Sequence, residues 1–144
     1  MPLEGTYEPN AWDVARKQVE LYESSGGTKG TTLQGVPCVV LWTRGRRSGA
    51  VRKAPLVRVE RDGRYVVVGS MGGAPKHPVW YLNLLADPDV SLQDGPVLGD
   101  FRARELTGDE KADWWAPATS VFPTYARYQE RTEREIPVVL LEPR

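Results

Sequence analysis

The spacing of apolar residues near the start of the chain is that of a helix. Four of them recur at intervals of three and four residues, which places them on one helix face. They are Trp12, Ala15, Val19 and Tyr22. Asn10 can cap this helix, and Gly26 and Gly27 can end it. We therefore predict a helix over residues 10–25, preceded by a flexible arm at residues 1–9.

Beyond residue 35 the apolar pattern changes to the alternation of strands. Strands are predicted at residues 36–43, 51–60, 65–70, 90–93, 97–106 and 136–141. Helices are predicted at residues 79–86, 107–118 and 125–133. Asp62 and Gly63 are typical of a tight hairpin turn, and Thr107 with Glu110 resembles a capping box.

These elements define the fold class. About six mostly antiparallel strands in meander order, with a helix between the third and fourth, make an α+β protein. A small closed or split β-barrel with flanking helices is the simplest arrangement. The order is not βαβ, which disfavours a Rossmann dinucleotide site. We expect one domain over residues 1–144, with the barrel within 30–142.

Composition narrows the possible functions. The chain has 144 residues, enough for one domain, and a formal net charge of zero. A neutral chain is not built for nucleic acid, so an anion site must come from local clustering of charge. The single cysteine, Cys38, excludes an internal disulfide, and we predict that it is buried. No long apolar run and no secretion signal are present, so we expect a cytoplasmic protein.

The densest charge cluster is the segment 43–53, with five cations and no acid. Gly45 and Gly49 allow a tight turn that brings backbone N–H groups toward a ligand. Arginine side chains suit phosphate and carboxylate oxygens. The segment is either an anion site or an ordinary solvated hairpin.

Two further features follow in the chain. The glycine-rich loop 69–78 leaves a strand and enters a helix, so its backbone donors can face an anion, or it is simply a tight turn. Trp80 on that helix can form the wall of a site for a planar ring, or pack the core.

The aromatic residues near the end of the chain suggest a pocket. Tyr125 and Tyr128 are three residues apart and share a helix face, although an ordinary amphipathic helix has the same spacing. His77 is the only histidine and cannot build a metal site or a triad by itself. A basic segment, a glycine loop and aromatic walls suit a cofactor that carries the chemistry itself.

Three motifs in this order resemble the deazaflavin (coenzyme F420)-dependent nitroreductase family of actinobacteria. The first comprises residues 43–49 with Arg52, Pro55 and Leu56. The second comprises Ser70, residues 72–76 and residues 78–84. The third comprises Tyr125, Tyr128, Thr132, Arg134 and residues 136–138.

The resemblance implies a split β-barrel and hydride transfer from reduced coenzyme F420 to quinones, nitroaromatics or similar activated acceptors. The residues implied for the cofactor's phosphate and glutamyl tail are Arg46, Arg47, Ser48, Arg52 and Lys53. Those implied for its ring and the adjoining surface are Ala54, Pro55, Ser70, Met71, Gly72, Gly73, Pro78, Val79, Trp80 and Asn83. The candidate catalytic residues, which would stabilise or protonate the reduced acceptor, are Tyr125, Tyr128 and Ser70. No metal is expected.

Two departures from the family bear on the substrate. Met71 stands where a relative can carry lysine, and Phe122 where a relative can carry tyrosine. The missing hydroxyl at Phe122 favours quinones over bulky nitro compounds. The N-terminal helix, which can be lipid-seeking in the family, is charged here, so we expect at most weak contact with the inner face of the membrane.

Three alternatives remain open at this point. A related split barrel could bind flavin mononucleotide (FMN) or haem instead of coenzyme F420. The protein could also be a deazaflavin carrier without catalytic activity. The sequence allows either a monomer or a homodimer.

Overall fold

The computed structural model describes residues 2–144, in which the N-terminal helix is α1 (Asp13–Ser24). Three residues of the predicted apolar stripe are buried, namely Ala15, Val19 and Tyr22. Trp12 is 67% exposed and precedes the helix, so its inclusion in the stripe was wrong. Asn10 does not cap the helix, because its side chain accepts a hydrogen bond from the N–H of Trp12, the residue that precedes the helix.

The rest of the described residues form eight strands, three more α-helices and a single-turn 3-10 helix at Met71–Gly73. The strands are β1 (Thr32–Leu33), β2 (Val36–Arg44), β3 (Val51–Val57), β4 (Glu60–Arg61), β5 (Arg64–Val68), β6 (Asp89–Asp94), β7 (Val97–Glu105) and β8 (Val138–Pro143). The helices are α2 (Val79–Ala86), α3 (Gly108–Val121) and α4 (Thr124–Glu130). All strand pairs are antiparallel, which confirms the predicted α+β class and its curled, split-barrel sheet.

The strand order differs from the predicted meander at two places. The sheet runs β1-β2-β6-β7-β8-β5-β4, and β3 pairs with β2. The expected pairs β3–β5 and β5–β6 do not form: β6 lies beside β2, and β8 lies between β7 and β5. The predicted strand at residues 51–60 ends at Val57, and the Arg58 N–H turns to the carbonyl of Pro37. Pairing between such distant strands leaves no trace in local alternation.

Alternation along β5 places side chains in two cores. Val66 and Val68 belong to the core that α3 and α4 cover, whereas Val67 faces the core beneath α2. Helix α1 covers a third cluster, in which Cys38 is 3% exposed, so the prediction of a buried thiol is confirmed.

The capping of α3 and the ends of α3 and α4 also differ from the prediction. Thr107 occupies the position before α3, but its side chain makes no capping hydrogen bond. Glu110 pairs with Arg104 at 2.7 Å instead, so the predicted capping box does not form. Helix α3 continues past residue 118, and α4 ends three residues before the predicted residue 133.

Candidate functional site

The fold contains a cleft of about 830 Å³. Its walls come from the start of α1, from β3, from the loop after β5, from α2 and from α4. These segments are far apart in the chain, so the cleft depends on the tertiary fold. Its lining is largely apolar with a few polar groups, as is usual for small-molecule sites.

Most of the sequence-predicted site residues line this cleft. They are Arg52, Lys53, Ala54, Pro55, Ser70, Met71, Gly72, Pro78, Val79, Trp80, Asn83, Tyr125 and Tyr128. Both tyrosines of α4 therefore lie in the same cleft as the cations of β3.

Four predicted residues lie outside the lining. Arg46 and Arg47 are exposed on the turn between β2 and β3, and neither guanidinium has an ion-pair partner within residues 2–144. The Ser48 hydroxyl donates to Glu8 at 3.1 Å and accepts from the N–H of Ala50. Ser48 is therefore already engaged on the outer side of the turn.

The fourth residue, Gly73, has a different structural role from its neighbour Gly72. A Cβ at Gly72 (φ +66°) would meet nothing within 4 Å, so this position faces open space in the cleft. A Cβ at Gly73 (φ +79°) would lie 2.8 Å from the carbonyl oxygen of Tyr128. Gly73 is therefore needed for packing against α4, whereas Gly72 leaves room for a ligand.

Arg134 holds the loop that carries Ser70. Its guanidinium donates to the carbonyl oxygens of Gly69 (3.0 Å), Ser70 (2.8 Å) and Ala74 (2.8 Å). It also lies 3.1 Å from Nδ1 of His77, which must accept because a guanidinium only donates. Burial lowers the pKa of Arg134. One side chain thus sets the path of the whole loop.

The hydroxyl groups of Ser70 and Tyr125 are available to a ligand. Ser70 is 7% exposed and Tyr125 is 5% exposed. Within residues 2–144 neither hydroxyl has a hydrogen-bond partner. Burial raises the pKa of Tyr125, and the nearby Tyr128 adds to this, so the phenol is a proton donor at neutral pH.

Asn83 and Trp80 serve the fold as well as the cleft. Asn83 is 1% exposed. Its Oδ1 accepts from the N–H of Arg46, and its Nδ2 donates to Thr43 Oγ1, each at 3.1 Å. Trp80 is 9% exposed and packs with the core beneath α2. Asn83 therefore fastens the basic turn to α2.

The N-terminal segment lies along β3 and contacts the basic residues. The N–H of Val51 donates to Thr6 at 2.7 Å, and the N–H of Glu8 donates to Val51 at 2.9 Å. Arg52 donates to the Glu8 carboxylate at 2.8 Å. Nothing in residues 1–9 predicted this pairing, and a loose arm does not account for it.

Lys53 has an equally close acidic partner. Its Nζ donates to both carboxylate oxygens of Glu23, at 2.8 and 3.0 Å. The ammonium also lies 4.0 Å from the ring centroid of Trp42 and 4.6 Å from that of Tyr7. Only 11% of the Lys53 side chain is exposed. Acids from elsewhere in the chain thus balance cations that appeared unopposed in the local sequence.

Sequence reasoning missed several residues of the cleft. Trp12 and Val14 are exposed at its edge, at 67% and 59%. Gln34 reaches it from the turn between β1 and β2, and Thr43 from β2. Helical spacing had suggested packing for Trp12, and no local pattern singled out Gln34.

Some classes of site are not found in the described part of the chain. Within residues 2–144 no group of three metal-ligating side chains occurs. No helix in that range has the length and apolar character needed to cross a membrane.

A comparison of the chain with models of protein families identifies its family. The model described as F420H(2)-dependent quinone reductase matches residues 14–143. The chain belongs to this family. F420H(2)-dependent quinone reductases transfer hydride from reduced coenzyme F420 to quinones, so the predicted oxidoreductase activity and its cofactor are confirmed, and FMN is not supported as the cofactor.

Individual members of the family agree with this assignment. A Mycobacterium tuberculosis protein named F420H(2)-dependent quinone reductase is 33% identical over 125 residues, which are 84% of each chain. A solved F420-H2-dependent reductase has 50% identity and a TM-score of 0.70, covering 74% of this chain and 94% of that one. A structure described as a domain-swapped dimer has 46% identity and a TM-score of 0.73, covering 90% and 98%.

The lining of the cleft fits coenzyme F420, the cofactor of this family. The open space at Gly72 and the apolar wall formed by Pro55 and Pro78 can accommodate a flat ring. Arg52 and Lys53 place two cations in the same cleft, and a phosphate or an acidic tail would compete with Glu8 and Glu23 for them. The donor set and the shape therefore agree with a deazaflavin that carries an anionic tail.

Proposed function

We propose that the cleft binds reduced coenzyme F420 and a quinone together, so that hydride passes directly between them. The supporting observation is that buried hydroxyl groups and cations line one continuous cleft: Ser70 and Tyr125 on one hand, Arg52 and Lys53 on the other. Coenzyme F420, when bound, supplies the hydride, and the protein supplies position and proton donors.

The residues divide this work by their chemistry. Arg46, Arg47, Arg52 and Lys53 would hold the phosphate and glutamyl tail of the cofactor. The Ser70 loop and Trp80 would border its ring and keep water from that side. Tyr125 and Tyr128 would contact the acceptor, and the protonated Tyr125 phenol would donate to its developing oxygen charge.

Titration and turnover together test this proposal. Oxidised coenzyme F420 and FMN are titrated into the protein while cofactor fluorescence is followed, and reduced coenzyme F420 is titrated while quenching of the protein's tryptophan fluorescence is followed. Oxidation of the reduced cofactor is then followed in a single turnover with menadione. We expect binding of coenzyme F420 and acceleration by the protein. Binding without acceleration would indicate a carrier, and tight binding of FMN alone would refute the assignment.

Substitutions in the basic segment test the tail site. Arg47→Ala and Arg52→Ala should each weaken cofactor binding by roughly 1.5–3 kcal/mol, as expected for lost charge-assisted contacts. Arg102→Ala is the matched control, because Arg102 is exposed on β7 and does not line the cleft. If both test variants bind within about twofold of the wild type, the tail does not lie on this segment.

Quinones should be better acceptors than nitroaromatics. Phe122 packs edge-on against Tyr125, with ring centroids 4.9 Å apart, and offers no hydroxyl. A nitro group would therefore meet one donor fewer than in a tyrosine-bearing relative. A panel of both acceptor classes, compared by kcat/KM, tests the ranking, and Phe122→Tyr should raise the nitroaromatic value selectively.

We also propose that the protein forms a homodimer and makes only weak contact with lipid. A relative solved as a domain-swapped dimer makes a homodimer a reasonable assembly here, and light scattering after gel filtration tests it. Helix α1 carries five charged residues, so contact with lipid should be weak. Co-sedimentation with anionic vesicles measures that contact.

A further inference from the structure

The turn between β1 and β2 holds a residue that its backbone disfavours. Leu33 pairs with Val36, which leaves Gln34 (φ +48°) and Gly35 (φ +82°) as a two-residue turn. Two left-handed residues in a hairpin of this length are the type I′ arrangement, which prefers Asn, Asp or Gly at the first position. Glutamine there is strained, and strain of this kind is often retained for function.

Another two-residue turn of the sheet, between β4 and β5, follows the usual preference. Arg61 pairs with Arg64, and the turn between them consists of Asp62 (φ +55°) and Gly63 (φ +79°). Neither turn residue lines the cleft. The same protein thus uses aspartate where the turn has only a structural task and glutamine where the turn borders the cleft.

The side chain of Gln34 reaches across to α4. Its Nε2 donates to the hydroxyl oxygen of Tyr128 at 3.5 Å, across 94 residues of sequence. Both residues line the cleft. The segment before the turn is fixed by Gln18 of α1, which donates to the carbonyl oxygens of Gly30 (3.0 Å) and Thr32 (2.8 Å). The backbone that leads into Gln34 is therefore anchored on α1, and the exposed Gln34 side chain makes one long hydrogen bond to α4.

We propose that Gln34 is a positioning residue for the acceptor, acting through Tyr128. By donating to the phenol oxygen, the amide occupies one lone pair and leaves the hydroxyl hydrogen free to point into the cleft. There it can donate to a carbonyl oxygen of a quinone. This inference rests on the proposed function, because it needs an acceptor beside Tyr128.

Replacing glutamine with asparagine gives a test in which the two roles predict different activities. Asparagine suits the left-handed turn better, but its side chain is one methylene shorter and loses contact with Tyr128. If Gln34 only shapes the turn, Gln34→Asn should be neutral or stabilising and fully active. If it positions Tyr128, the same variant should be as stable as the wild type and less active.

The experiment measures stability and steady-state kinetics in parallel. For Gln34→Asn we expect an unchanged or higher Tm and a fall of about two- to threefold in kcat/KM with menadione, as for the loss of one long, weak hydrogen bond. Cofactor affinity should stay the same. Asp62→Gln is the matched control, since it places glutamine in the distant turn and should lower Tm without changing kcat/KM.

A double-mutant cycle with Tyr128→Phe separates the possible outcomes. Gln34→Asn should have no further effect on kcat/KM once the Tyr128 hydroxyl is absent. Equal losses in both backgrounds, or full activity of Gln34→Asn, would overturn the role of Gln34. The wild type's own turnover reports on the proposed function separately: if the wild type does not oxidise the reduced cofactor with menadione, that function fails, and Gln34 has no acceptor to position.

Discussion

The guanidinium of Arg52 donates a 2.8 Å hydrogen bond to the carboxylate of Glu8, which lies 44 residues earlier in the chain. The second oxygen of that carboxylate accepts from the Ser48 hydroxyl. Two residues predicted to hold an anionic cofactor tail thus already hold a carboxylate of the protein itself. An incoming tail must compete with Glu8 for them.

This competition predicts that removing the Glu8 charge strengthens cofactor binding. Glu8→Gln should raise the affinity for coenzyme F420 several-fold, by roughly 1 kcal/mol, because one charge-assisted contact no longer opposes the tail. A deazaflavin riboside without phosphate should bind both proteins equally. Glu4→Gln removes a charge from the same segment and controls for general electrostatics. Weaker binding by Glu8→Gln than by the wild type would show that Glu8 supports the site instead.

The pair formed by Lys53 and Glu23 should matter for stability. Lys53→Met leaves the Glu23 carboxylate without its cation, and we expect a loss of about 1–2 kcal/mol, moderated because Glu23 is partly exposed. Urea unfolding measures it. Lys29→Met is the control, since Lys29 is exposed and forms no ion pair in the described chain. An equal effect of the two substitutions would mean that the pair contributes nothing.

Arg134 should control the order of the Ser70 loop. Arg134→Lys keeps the charge but loses the planar fork that reaches three carbonyl oxygens, so we expect about tenfold weaker cofactor binding. Hydrogen exchange at the Gly73 N–H, which donates to Ser70, should become faster. Arg127→Lys on the exposed side of α4 should change neither quantity. Unchanged exchange at Gly73 in Arg134→Lys would refute the role of Arg134.

Buried tyrosines predict a loss of stability in alkali. Burial raises the pKa of Tyr125 above its ordinary value of 10.0, and burial followed by the hydrogen bond to Glu105 raises the pKa of Tyr81 to about 12. Above pH 10 the unfolded chain releases these protons while the folded chain keeps them. The free energy of unfolding therefore falls as the pH rises from about 10 toward 12.

Tyr125→Phe tests the contribution of one residue to this effect. The variant cannot release that proton when unfolded, so its stability should fall less steeply than that of the wild type between pH 10 and 11. Urea unfolding at a series of pH values measures both slopes. Identical slopes would mean that Tyr125 keeps its ordinary pKa in the folded protein.

Local patterns predicted the elements well and their partners poorly. The strand predicted at residues 65–70 corresponds to β5, and Asp62 with Gly63 identified the hairpin before it. The insertion of β8 between β7 and β5 was missed, because strand order depends on packing between distant segments.

The site shows the same division. Most of the predicted residues line the cleft, because cations, glycines and aromatic residues have recognisable chemistry. The ion pairs of Arg52 with Glu8 and of Lys53 with Glu23 could not be predicted from local sequence, since each acid lies at least 30 residues from its cation. The role of Gln34 could not be predicted from the sequence, because a polar residue in a turn is ordinary until the backbone geometry of the turn is known.

The place of β8 has a consequence for how the protein is made. Residues 138–143 form β8, which pairs with both β5 and β7. The ribosome synthesises those two strands much earlier than β8. Until they emerge, β5 and β7 present bare edges of the kind that pair with other chains and aggregate. Nascent chains that stall before residue 138 should therefore depend on chaperones, whereas those that pass residue 143 can close the sheet unaided.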